Sequence, residues 1–239
     1  MDMKKIMMLA LALSIAVILA ACGDDKEDDK TKDEKTAGQA PMQELDISDE
    51  EKVKDDKVVL HINGEKVKGD QYNAIYPQIK MQATGMGQKK VDKKELKKQT
   101  LEALVGQELL KQEVDNKGIE VPKKEVDKQI EELKSQDEEQ YKAFLKQFHL
   151  DEETLKDQLA FELQLNEYAE KEFKDIEPTD EEIKDQYKQF KAQGQGEDVP
   201  KFEEVKDQLK AQITQENKGK AIQKKTEELK EKADIKEKI

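Results

Sequence analysis

From residue 57 to residue 68 the chain reads Lys57-Val58-Val59-Leu60-His61-Ile62-Asn63-Gly64-Glu65-Lys66-Val67-Lys68. Branched apolar residues on either side of an Asn-Gly pair specify a β-hairpin, because both central positions of a type I′ turn need positive φ. Downstream the apolar spacing changes from two to three and four, the period of a helix. Tyr72, Ile75 and Ile79 place a helix over Asp70 to about Ala83, which Pro77 is predicted to kink or to delay. The run Gly85-Met86-Gly87 separates it from a long helix starting near Val91. There Leu96, Leu101, Leu104, Val105, Leu109, Leu110 and Val114 form a wide apolar stripe.

The stops and starts that follow are equally specific. Asn116-Lys117-Gly118-Ile119 ends the long helix, with Gly118 taking the left-handed cap and Ile119 packing back. Pro122 suits a first helical turn, and Val126, Ile130 and Leu133 follow it. Tyr141, Phe144, Leu145 and Phe148 mark a helix within Asp137 to Leu150. Asp151 starts another, with Leu155, Leu159, Leu163 and Tyr168 on one face. Thr179 and Glu182 make a capping box ahead of Ile183, Tyr187 and Phe190. A Gly-rich loop covers 193–198, and a last long helix carries Phe202, Val205, Leu209, Ile213, Ile222 and Leu229. Ala233-Asp234-Ile235 is a short final strand. The fold class is therefore mainly α, with a small N-terminal β-hairpin, a long C-terminal helix and a short final strand.

Upstream of the hairpin the character of the chain is different. Lys4-Lys5 precede an apolar run from Ile6 to Ala21, broken only by Ser14 and ending Leu19-Ala20-Ala21-Cys22. As a helix this run spans about 24 Å, short of the roughly 30 Å hydrocarbon core of a bilayer. A basic start, a short apolar stretch and small residues before the cut are the requirements of a processed export signal. The stretch resembles a bacterial lipoprotein signal with its lipobox, formed by Leu19, Ala20 and Ala21. That reading makes Cys22 the lipidated N-terminus of the mature protein, its thiol carrying diacylglycerol and its amine an acyl chain such as palmitate. Two or more chains anchor stably where one does not. Residues 1–21 are thus the expected signal peptide, 22–56 a disordered acidic linker, and 57–239 the folded domain.

Charge divides along the same boundaries. All 43 basic residues are Lys, against 56 acidic ones, and the net charge is −13. Residues 23–56 hold 14 acids and six Lys, so most of the excess sits in the linker. A chain with this balance has no basic surface for nucleic acid, which is excluded as a partner. One Cys rules out an internal disulfide framework or a Cys-rich zinc site. Hydrolase, phosphate-loop and metalloprotease motifs are missing, and the two histidines, His61 and His149, lie far apart in sequence. No catalytic residue, metal ligand or cofactor is expected.

Val-Leu-His-Ile-Asn-Gly-Glu-Lys-Val from Val59, Leu-Val-Gly-Gln-Glu-Leu-Leu from Leu104, Lys-Gly-Ile-Glu-Val from Lys117 and Glu-Val-Asp-Lys-Gln-Ile from Glu125 succeed one another in order. Together they resemble the N-terminal domain of the SurA family and the corresponding part of PrsA-type foldase lipoproteins. The resemblance covers about residues 57–239, and it implies that the final helix packs back on the N-terminal region. One departure stands out. The family inserts parvulin-type prolyl isomerase domains before the terminal helix, whereas only Lys191 to Pro200 lie there in this chain.

The resemblance implies a membrane-anchored chaperone that binds unfolded or secreted polypeptides. It faces outside the cytoplasm of a bacterium, and the PrsA likeness favours a Gram-positive one. A binder of many sequences needs adaptable apolar side chains, which makes Met81, Met86, Tyr72, Ile75 and Tyr76 the candidate client-binding residues. Two other readings stay open. One is a peptidyl-prolyl cis-trans isomerase of the same family. The other is an envelope scaffold whose helices dock one specific partner.

Overall fold

The computed structural model describes residues 45–85, 92–173, 176–193 and 199–239. Among them are a three-stranded antiparallel sheet and seven α-helices. Strands β1 (Val58–Ile62) and β2 (Glu65–Lys68) form the expected hairpin. Asn63 and Gly64 at its tip have φ of 53° and 92°, as a type I′ turn demands. The register shifts between Val58 and Leu60, locally breaking the two-residue alternation, and the neighbours Val59 and Leu60 are both wholly buried.

Helix α1 (Gly69–Gly85) begins directly after β2 and continues through Pro77. Pro77 therefore does not delay the start. A mid-helix proline costs about 3 kcal/mol, and Pro77 is itself buried beside Tyr76 on a helix that also buries Tyr72 and Ile75. Helix α2 (Lys93–Asn116) is capped by the Asp92 carboxylate, which accepts from the Lys94 amide at 2.9 Å. It ends as the sequence requires: Gly118 has φ 65°, its amide reaches Asp115 O, and the Ile119 amide reaches Val114 O. Both reciprocal bonds of a Schellman motif are present.

Helices α3 (Lys123–Gln136), α4 (Glu138–Gln147) and α5 (Glu152–Glu172) follow, the last two capped by Asp137 and Asp151. Ile130, Tyr141 and Leu155 form the cluster that joins them. Helix α6 (Asp180–Gln193) starts at the predicted box, with Thr179 N donating to Glu182 at 2.7 Å and Glu182 N to Thr179 Oγ1 at 3.2 Å. Helix α7 (Phe202–Lys230) packs twice. Its first half meets α6 through Ile183, Leu209 and Ile213. Its second half returns to α2 and α5, where Ile222 joins Leu110, Val114, Phe161 and Leu165. Lys225 Nζ lies 2.9 Å from Glu113 Oε1 across the α7–α2 contact. Burial pushes the Glu113 carboxyl up, but the Lys225 hydrogen bond and charge outweigh it and hold it below the usual range.

Strand β3 (Ile235–Glu237) then pairs antiparallel with β1, Ile235 opposite Ile62, giving the sheet order β2-β1-β3. It starts two residues later than the sequence pattern places it. Asp234 is engaged instead with the hairpin tip: its amide donates to Asn63 Oδ1 and its carbonyl accepts from Asn63 N.

The segment from Leu45 to Asp56, which composition assigns to the linker, is packed against the domain. Asn73 on α1 holds Val53 from both sides, its Nδ2 donating to Val53 O at 2.6 Å and its Oδ1 accepting from Val53 N at 3.0 Å. The α1 N-terminus spends two of its orphan amides on the same segment and the residue that follows it, Gly69 N on Lys57 O and Asp70 N on Asp55 O. At Gly69 a Cβ would stand 2.1 Å from Lys54 O, so only glycine lets the two backbones approach.

A groove between three helices and a candidate polypeptide site

The two faces of α1 are used differently. On one face Tyr72 and Tyr76 stack with ring centroids 5.6 Å apart, and each is 2% exposed. The Tyr76 hydroxyl donates to Glu51 Oε1 at 2.7 Å, and Lys80 Nζ lies 2.6 Å from the same oxygen. Ser48 donates to Glu51 Oε2 through both its amide and its hydroxyl. Burial pushes the Glu51 carboxyl up, but the hydrogen bonds from Lys80, Ser48 and Tyr76 together win and hold it down at about 2. Burial, with the Glu51 charge nearby, pushes the Tyr72 hydroxyl up to about 12 and raises that of Tyr76 as well.

The opposite face of α1 borders a groove of about 370 Å³ between α1, α2 and α5. Its lining includes apolar residues from four elements: Val67 on β2, Ala74 and Ile75 on α1, Leu104 on α2, and Ala160 and Phe161 on α5. Four glutamines line it as well, Gln71, Gln107, Gln158 and Gln164. The remaining polar lining is Asp70, Glu108, Lys111, Thr154 and Asp157. Gln71 Oε1 accepts the Lys68 amide of β2, an edge strand, and Gln164 Nε2 donates to Ile119 O. Gln158 accepts from Gln78 at 3.5 Å, while its own Nε2 is buried without a partner. An apolar lining among side-chain amides suits an extended peptide, whose side chains seek apolar contact and whose backbone needs donors and acceptors of any register.

The residues named from sequence separate accordingly. Tyr72 and Tyr76 are core, not client-facing, because their face of α1 is covered by α2 and by the segment around Glu51. Ile75 is also buried, but it lines the groove. Met81 lies near the end of α1, its sulfur accepting from Gln147 of α4 at 3.8 Å, and is not part of the groove lining. Met86 and the residues Leu19, Ala20, Ala21 and Cys22 lie outside the described residues. Phe161 and the glutamines were missed. Their only signal is spacing, Thr154, Asp157, Gln158, Phe161 and Gln164 falling on one side of α5. Among the described residues no three His, Cys, Asp or Glu side chains gather as a metal site. No helix among them is long and apolar enough to cross a membrane.

A family described as the SurA-like N-terminal domain matches residues 42–169, more than half of the chain. The chain belongs to that family. The matched SurA-like region begins just ahead of Leu45 and ends in the last turn of α5, so it contains the packed N-terminal segment and the whole groove. Among characterised proteins, the chain is similar to "Foldase protein PrsA 2" of Bacillus cereus, 38% identical over 82 residues, or 34% of this chain and 27% of that one. It is also similar to "Foldase protein PrsA" of Caldanaerobacter subterraneus subsp. tengcongensis, 33% identical over 149 residues, or 56% of this chain and 43% of that one. The likeness thus spans less than half of the length of either relative.

Proposed function

We propose that the protein is a lipid-anchored chaperone outside the cytoplasm that holds unfolded exported polypeptides in the groove between α1, α2 and α5. The observation that carries this reading is the groove itself: an apolar lining from four elements combined with four glutamine amides, inside the region matched to the SurA-like family. Such a surface recognises extended chain without demanding a sequence. Cys22 is the proposed point of attachment, with Leu19, Ala20 and Ala21 closing the signal, and the residues between Cys22 and Leu45 serve as the spacer. The proposed action is holding rather than chemistry.

The test is aggregation of an unfolded exported client, followed by light scattering, in the presence of the chain from Gly23 onward. The protein is expected to slow aggregation at severalfold molar excess. Ala74→Trp, which fills the groove from α1, is expected to remove most of that protection while the helical signal stays unchanged. Protection that is absent in the wild type, or undiminished in the variant, rejects the assignment.

A further inference from the structure

We infer that the groove selects client segments by charge, preferring extended stretches in which lysine or arginine flanks apolar residues. This rests on the polypeptide-holding role proposed above and adds a specificity to it. Three carboxylates line the groove from three different elements, Asp70 on α1, Glu108 on α2 and Asp157 on α5, against the single cation Lys111. Some carboxylates elsewhere are paired with the chain's own lysines, as in Lys225 with Glu113, Lys134 with Glu152 and Lys156 with Asp127. Among the described residues, the three groove carboxylates have no such partner. Among the described residues Asp70 accepts the Gln71 amide and Glu108 the Gln112 side chain. Lys156, next to Asp157 in sequence, is committed to Asp127 at 2.8 Å and Glu152 at 3.5 Å.

Charges around a cleft with low-dielectric walls focus their field into it, so uncompensated carboxylates there attract cations more strongly than scattered surface ones. The occupant that fits must also satisfy the rest of the lining. Ile75, Leu104 and Phe161 call for apolar side chains, and the glutamine amides of the lining call for backbone donors and acceptors. A basic, extended polypeptide supplies all three. A second copy of this chain supplies them poorly, because its net charge of −13 repels the same carboxylates.

The experiment measures binding of two unstructured, fluorescently labelled peptides with the same apolar core, one flanked by lysines and one by glutamates. The protein is the chain from Gly23 onward. At low salt the lysine peptide is expected to bind roughly fivefold or more tightly than the glutamate peptide, and the gap should shrink as salt shortens the Debye length. The variant Asp70→Asn/Glu108→Gln/Asp157→Asn is expected to abolish the preference while still binding both peptides. A control that neutralises three exposed acids away from the groove, Glu139→Gln/Glu203→Gln/Glu231→Gln, should keep it. Equal affinity of the wild type for both peptides overturns the inference and leaves the chaperone role standing. So does a preference that survives the groove variant or vanishes in the control. Failure to bind either peptide overturns the role and the inference together.

Discussion

Glu51→Gln is the substitution that most directly tests whether the segment ahead of the hairpin belongs to the domain. The Glu51 side chain is 4% exposed and takes hydrogen bonds from Tyr76, Lys80 and Ser48. Its carboxyl is held at about 2 against an ordinary value of 4.5. Each tenfold difference in proton affinity between folded and unfolded states is worth about 1.4 kcal/mol, so the charged form adds about 3 kcal/mol. Because the folded value is depressed, this stabilisation is complete above about pH 4.5 and drains away as pH falls toward 2. Urea unfolding of both proteins from pH 7.5 to pH 2.5 is expected to show a gap of about 3 kcal/mol at neutrality that narrows with acidification. Faster hydrogen exchange of the Val53 and Asp70 amides should accompany it, since both bridge this segment and α1. A variant as stable as the wild type at pH 7.5, or a gap indifferent to pH, refutes the reasoning.

Two further substitutions probe the same framework. Burial alone pushes the Glu162 carboxyl on α5 up to about 7, a raised value that makes ionisation destabilising. Glu162→Gln is therefore expected to stabilise the protein by about 1–3 kcal/mol at pH 8 and by almost nothing at pH 4, below the unfolded value. Urea midpoints at the two pH values check this, and an equal effect at both contradicts it. Gly69→Ala forces a Cβ against Lys54 O and is expected to cost about 1–3 kcal/mol, with limited proteolysis speeding up first between residues 45 and 57.

Local chemistry made the hairpin and the helix ends legible. Asn63-Gly64, Gly118 and the Thr179–Glu182 box each encode a conformation within four residues, and each adopts it. Helix faces were less legible, because α1 carries apolar residues on two sides and periodicity does not say which side meets α2. Hence Tyr72 and Tyr76, read as client-facing, are core. The packed segment from Leu45 was hidden for a related reason. Its composition is acidic and aperiodic, and what orders it is a set of distant partners, Asn73, Tyr76 and Lys80, that pattern alone does not connect. The glutamines of the groove were equally silent, since an amide carries meaning only beside the apolar residues with which it shares a cleft.

Site-specific photocrosslinking tests the central claim most directly. A photoreactive residue in place of Lys111, which lines the groove and is exposed, is compared in living cells with one in place of Lys188, exposed on α6. The account predicts that Lys111→photoreactive captures a spread of secreted polypeptides and that the Lys188 position captures few. Equal capture at both positions, or one dominant folded partner at Lys111, contradicts it.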